Sequence, residues 1–402
     1  MISAFRKPMN RIHFPTLTKI LLIFFIVILI QGFITGFTSL PIEGDSIAYH
    51  IPIAKNLWNG GLLNPQGILH FYPSIGEAIL SVFMMLHIPL NLFNILAIGL
   101  LFLGAQRLGR EYGLSKDMAI VFAVALCTMQ LTTRWMFTQV VDIWVAVFFI
   151  YSLMLLHRPS KSLTYYVSLG ITMGLLIGTK NSAPVFALIL LIFYRQNFTK
   201  HLTLKRFLSF LLLVVVLGCF WYIRNSVIMG NPLYPQAVLS YKGAPNWNIL
   251  EWNVGEILVA NPFNMFNAFV SEYMIWIFAL LVPFVRSKND GVKTLTQLGY
   301  CNLLFFLCLP TTPEYNIMVS SFRYSYPAFI PLILCIFLLC QEYKKERYLG
   351  AIVFLNMLVL IVPPYRPKVL FILLPLLWMV WYYADSKFRM KQRHQLLKES
   401  DL

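Results

Sequence analysis

The chain has 402 residues, 58% of them hydrophobic and only 12% charged, with a mean hydropathy of +0.70 and a formal net charge of +16. A soluble domain carries about 25% charged residues to cover its core, so this composition excludes an ordinary water-soluble globule. The basic residues sit in short clusters between apolar runs, which reads as membrane topology and argues against nucleic-acid binding.

Taken in chain order, apolar runs fall at 17–36, 92–108, 117–133, 142–156, 163–179, 181–194, 207–222, 273–285, 294–309, 327–341, 348–362 and 369–383. In hydrocarbon every backbone amide must be bonded within its own segment, so such runs are expected to be helices. The predicted fold is all-α, a polytopic transmembrane helical bundle of about 12 spans forming one integral membrane domain over 1–402. With the N-terminus inside, 24 of the 32 Lys and Arg residues fall on the cytoplasmic side and 8 outside, while the acids divide evenly. That asymmetry sets orientation. Arg6, Lys7 and Arg11 at one end, and Lys387, Arg389, Lys391 and Arg393 in a basic tail over 384–402, are expected to hold both termini in the cytoplasm of an inner or plasma membrane.

The first run has no A-x-A-like cleavage site after it and reads as an uncleaved helix. Six scattered cysteines, without a C-x-x-C pair, exclude a disulfide framework or zinc knot. Asn197-Phe198-Thr199 resembles a glycosylation acceptor but falls on the inner side and reads as chance. The inner connectors are short and carry no Walker loop or G-x-G-x-x-G, which argues against ATP-driven transport.

Two long stretches, 37–91 and 223–272, read as non-helical outer loops, joined outside by the shorter 310–326. Within the first, 46–58 puts Ile47, Ile51, Ala54 and Trp58 on one apolar face, as in a helix lying at the interface, with Pro52 in its first turns. Residues 74–88 form a second apolar run holding Glu77, too short to cross; a crossing there would make 13 spans and invert everything downstream.

Carboxylates at a membrane boundary are costly unless paired or functional. Asp45, after Glu43-Gly44, reads either as an N-cap for the following helix or as a reactive acid. Tyr49 and His50 lie about one helical turn on, His50 alone being more often a hydrogen-bonding interfacial residue. Asp142 opens the fourth span, where capping or dipole complementarity is the plain reading. Lys180 interrupts a long hydrophobic region at an outer turn, with snorkelling as its plain reading. Arg224 and Arg323, the latter beside Tyr324, are outer arginines that run against the charge bias, and an anionic phosphate would give them a reason. Together, Asp45, Glu77, Asp142, Lys180, Arg224 and Arg323 form the parts needed to move a group off a lipid-linked phosphate.

These residues resemble a known family. Gly44 to Pro52 is similar to the D-S-x-x-Y-H-x-P signature of bacterial C-type (GT-C) membrane glycosyltransferases, the group of protein O-mannosyltransferases and lipid A aminoarabinose transferases (family 39 and relatives). Phe71-Tyr72-Pro73 to Glu77 resembles their aromatic-Pro segment, Thr138 to Asp142 the aspartate opening the fourth span, and Thr179-Lys180 the Gly-rich helix ending in lysine. Trp221 to Pro235 follows W-x-x-R-N-x-x-x-x-G-N-P-x-Y-P, and Phe322-Arg323-Tyr324 resembles the motif leading into a late span. The likeness covers most of 15–335; it lacks the paired first-loop acids of some members and a soluble outer domain after the last helix.

The resemblance implies a GT-C-like fold, a polyprenyl-phosphate-linked sugar donor and a catalytic aspartate at Asp45, acting as general base on an acceptor hydroxyl of a glycan, lipid or protein. Lys180, Arg224 and Arg323 would bind the donor phosphate, with Tyr49, His50, Glu77 and Tyr324 in support. A divalent cation, Mg²⁺ or Mn²⁺, bridging Asp142 or His50 to phosphate is part of the same analogy. The competing readings are a transporter or flippase of lipid-linked saccharides, an outer-face glycan polymerase or ligase, and a purely structural membrane component.

Overall fold

A computed structural model describes residues 14–237, 240–245 and 252–359. The terminal basic clusters, the expected span at 369–383 and the tail at 384–402 lie outside the described residues.

The described chain is almost entirely helical, with one two-stranded antiparallel pair, Trp252–Asn253 against Pro310–Thr311. Among the described residues, five helical segments are long and apolar enough to cross a membrane: Phe14–Thr38, Leu90–Glu111, Leu204–Met229, Pro262–Phe284 and Tyr315–Glu342. Shorter apolar helices, among them Asp142–His157 and Leu163–Ile177, fill the space between them. Lipid-facing side chains such as Ile30, Ile34 and Phe37 on the first helix are exposed, while Asp142–His157 is buried along nearly its whole length. That contrast marks an integral membrane bundle with one central helix.

Two parts of the predicted element map are corrected. Among its described residues the stretch 223–272 is not non-helical throughout, since both of its ends are helical. Phe220–Met229 continues the preceding helix until Gly230, whose φ of 67° ends it in the left-handed region. Val254–Ala260 then starts on a capping box between Asn253 and Glu256, and Pro262–Tyr273 starts on the Asn261 side chain. The span expected at 273–285 therefore begins at Pro262 and changes to a 3₁₀ segment, Met274–Phe284, at a left-handed Met274. Secondly, the span expected over 117–133 stops at Cys127, and Gln130–Arg134 is a separate short helix.

Ile75–Met85 holds the second apolar run of the first connector. At 1.5 Å per residue its 11 residues reach roughly 16 Å, half the hydrocarbon thickness, in line with a helix that does not cross. The 46–58 segment is a π-turn, Ser46–His50, running into the helix Ile51–Trp58. Pro52 has no N–H to give to the α-ladder, and the Ile51 N–H bonds back to the Ser46 carbonyl, five residues earlier. The expected apolar face holds only in part: Ile47 and Trp58 are exposed, whereas Ala54 is buried with Ile53 against Ile75–Met85.

Helix Leu163–Ile177 meets Leu204–Met229 along Gly170, Gly174 and Gly178. A Cβ on Gly170 would lie 2.8 Å from the Phe210 carbonyl oxygen, and one on Gly174 2.8 Å from that of Leu213. Small residues four apart allow this backbone approach, and the contact delivers Lys180 to the end of the bundle.

Candidate functional site

Glu43 caps the connector helix. Its Oε1 accepts from the Asp45 N–H at 3.0 Å, and its Oε2 from the Ser46 N–H and hydroxyl, both at 2.7 Å. The N-cap reading of Asp45 is thereby corrected: its side chain accepts no cap bond, and the carboxylate is left for another partner. The Ser46 hydroxyl also accepts the Gln139 N–H at 2.9 Å, while the Gln139 amide reaches Leu90 O and Asn91 Oδ1. These bonds stitch the first connector to the turn ahead of Asp142.

The carboxylates then converge on one guanidinium. Arg323, in the 3₁₀ turn Phe322–Ser325, bonds Asp45 Oδ2 through Nη2 at 2.5 Å, and its Nε lies 3.2 Å from Asp142 Oδ2. Lys180 Nζ pairs with the other Asp142 oxygen and sits 3.6 Å from the centre of the Tyr324 ring. Snorkelling does not account for Lys180. Arg323 is only 5% exposed, and its guanidinium lies 4.9 Å from the centre of the Trp135 ring, yet Nη1 has no hydrogen-bond partner among the described residues. Four charges from four separate elements thus balance at one end of the bundle.

Asp45 is the most open of them, its side chain 38% exposed. Burial would raise its carboxyl, but the Arg323 charge and hydrogen bond, with His50 and Lys180 beyond, hold it below the ordinary aspartate value. Tyr49 faces the same cluster. Burial lifts its phenol well above the usual range, with Asp45, Tyr324 and Asp142 adding to the rise and Arg323 opposing it. His50 points instead to Ile75–Met85, where its Nδ1 lies 2.6 Å from Glu77 Oε1, both side chains being 4% exposed.

Arg224 is not brought to this cluster. Its Nη1 and Nη2 donate to the Leu62 and His70 carbonyls, and Nε and Nη2 to Asn225 Oδ1. Asn225 in turn donates to the Phe71 carbonyl at 2.7 Å, and Phe71 packs edge-on against Tyr234. The W-x-x-R-N segment therefore staples the first connector to the second. Asn197, the glycosylation match, donates its side-chain amide to the Leu156 and His157 carbonyls.

The metal expectation does not fit the donor set. Both Asp142 oxygens face cations, and the described residues contain no group of three His, Cys, Asp or Glu placed to hold an ion. Mg²⁺ and Mn²⁺ are held mainly by several oxygen ligands, which this set does not offer. Trp135, Gln139, Glu43 and Ser46 were missed as site residues. Glu43 acts through local bonds and the other three through tertiary contacts, and only the D-S pair and the Thr138–Asp142 motif hinted at the joint.

Fold and site define a multi-helix membrane protein with a partly buried acid–base cluster gathered at one end of its bundle. Residues 2–251, more than half of the chain, match the model of a domain of unknown function, DUF8201, and the chain belongs to that family. The match includes Asp45, His50, Glu77, Asp142, Lys180 and Arg224, while Arg323 lies beyond it. No curated protein and no solved structure matches the chain.

Proposed function

We propose that the protein is a GT-C-like membrane glycosyltransferase of about 12 spans, its acid–base cluster on the outer face of an inner or plasma membrane, taking a sugar from a polyprenyl-phosphate carrier. The single observation that carries this reading is Arg323: a buried guanidinium tied to Asp45 and Asp142 whose Nη1 has no partner among the described residues, with Lys180 beside it. Guanidinium and ammonium side by side suit a phosphate, which accepts from both. In this reading the site lies on the outer face, where nucleotide sugars are absent, so the donor arrives on a lipid.

In this reading the donor phosphate competes with Asp45 for Arg323. Asp45, released, takes the proton of the acceptor hydroxyl, whose oxygen attacks the anomeric carbon in line and inverts it. Lys180 and Arg323 stabilise the departing polyprenyl phosphate. Arg224, occupied by carbonyls, supports the connectors instead of the phosphate. The acceptor is a glycan, lipid or protein hydroxyl.

The test uses purified protein in lipid nanodiscs with radiolabelled undecaprenyl-phosphate glucose, mannose or galactose and a membrane acceptor extract. Label transfer is expected, reduced about 10²-fold or more in Asp45→Asn and in Arg323→Gln. Movement of intact donor across vesicles, with no transfer from any donor, would replace this reading by a lipid-saccharide transporter.

A further inference from the structure

His50 and Glu77 are not used by the chemistry above, and the pair is unusual. Both are almost sealed from solvent, His50 Nδ1 and Glu77 Oε1 lie 2.6 Å apart, and Glu77 Oε2 is buried with no partner among the described residues. A buried carboxylate is costly unless a proton or a positive charge accompanies it. No described residue bonds His50 Nε2.

The π-turn puts this pair next to the reacting end. Its five-residue spacing carries His50 round to follow Asp45, and the imidazole, once protonated, is near enough for its charge to act on the Asp45 carboxyl. The ring of Tyr49 lies 4.1 Å from that of His50. The titratable and charged groups around the imidazole are Asp45 and Tyr49 from its own segment and Glu77 from Ile75–Met85, with Arg323 and Lys180 behind Asp45.

We infer that His50, backed by Glu77, is a further catalytic residue of the proposed transfer: it receives at Nε2 the proton that Asp45 takes from the acceptor. As the acceptor oxygen bonds to the anomeric carbon, the bond from that carbon to the phosphate oxygen breaks and its electron pair leaves on the polyprenyl phosphate. The acceptor proton passes to Asp45, and from the Asp45 carboxyl to His50 Nε2. The imidazolium so formed donates Nδ1–H to the Glu77 carboxylate, which cancels the buried negative charge. The second transfer runs downhill because an aspartyl carboxyl holds a proton less tightly than an imidazole, the side chain whose charge changes nearest neutral pH. Glu77 is a positioning residue, holding the ring so that Nε2 is the nitrogen left open, as the acid does in other carboxylate–histidine pairs.

The inference rests on the transferase reading, and the assay separates the two. In nanodiscs with undecaprenyl-phosphate sugars, His50→Gln and Glu77→Gln are expected to lower kcat about 10²-fold while leaving the donor KM unchanged. Added imidazole should raise the rate of His50→Ala at least about tenfold and leave Asp45→Asn inactive. Melting temperature and donor binding report folding, and His50→Gln keeps a hydrogen-bonding group opposite Glu77 if His50→Ala does not fold. A His50→Gln protein at wild-type kcat, or a folded His50→Ala protein that imidazole leaves unchanged, overturns the relay alone. Absence of transfer by the wild type from every donor overturns both.

Discussion

Asp45 and Arg323 show how much a single side chain can be reassigned by its partner. Glu43 supplies the cap that Asp45 was suited to supply, and this leaves Asp45 free to meet a guanidinium from a residue 278 positions away. Because Arg323 holds the Asp45 carboxyl below its unfolded value, the pair contributes stability at all pH values above the ordinary aspartate range, and that contribution is lost as pH falls through the lower folded value. The stability difference between wild type and Asp45→Asn should therefore stay constant from neutral pH down to about 4 and shrink only below it. Melting in detergent across that range checks this, and a gap that closed near pH 6 would show that Arg323 does not control the carboxyl. The residues of this cluster were readable as types and motifs, since Asp45, Asp142, Lys180 and Arg323 each stand out at an apolar boundary. Their pairing was not, because ion-pair geometry depends on elements far apart in the chain.

At the scale of elements, the site is only as well placed as the helices that end at it. Gly170, Gly174 and Gly178 let Leu163–Ile177 approach the backbone of Leu204–Met229, and Lys180 follows directly. Gly174→Ala is expected to cost about 1–3 kcal/mol through overpacking against the Leu213 carbonyl. Gly99→Ala, where a new methyl meets nothing within 4 Å, should be neutral or slightly stabilising. Equal melting temperatures for the two variants would remove the close-packing account. The π-turn is a second case. Pro52 was readable as a residue of the first helical turn, but the slip of the hydrogen-bond ladder to the Ser46 carbonyl also needs Glu43, Ser46 and Gln139 to hold the segment. Residues 223–272 were misread for a related reason: their Asn and Pro residues look like loop punctuation, while Asn253 and Asn261 in fact start helices.

At the scale of the molecule, the proposal depends on which compartment the cluster faces. A cysteine placed at position 45 in a protein whose own cysteines, including the exposed Cys308, are replaced should react with a membrane-impermeant maleimide from outside intact cells. Labelling from the cytosolic side alone would remove the lipid-linked donor. By itself the sequence determined an all-α membrane chain, because apolar length and the obligation to bond every amide leave only helices, and it marked a few polar residues too costly to be incidental. Only the tertiary structure decided that Arg323 joins Asp45 to Asp142, that Arg224 belongs to the connectors, and that His50 is held by Glu77. Hydropathy is a local quantity, whereas the partner of a buried charge is chosen by how distant helices pack.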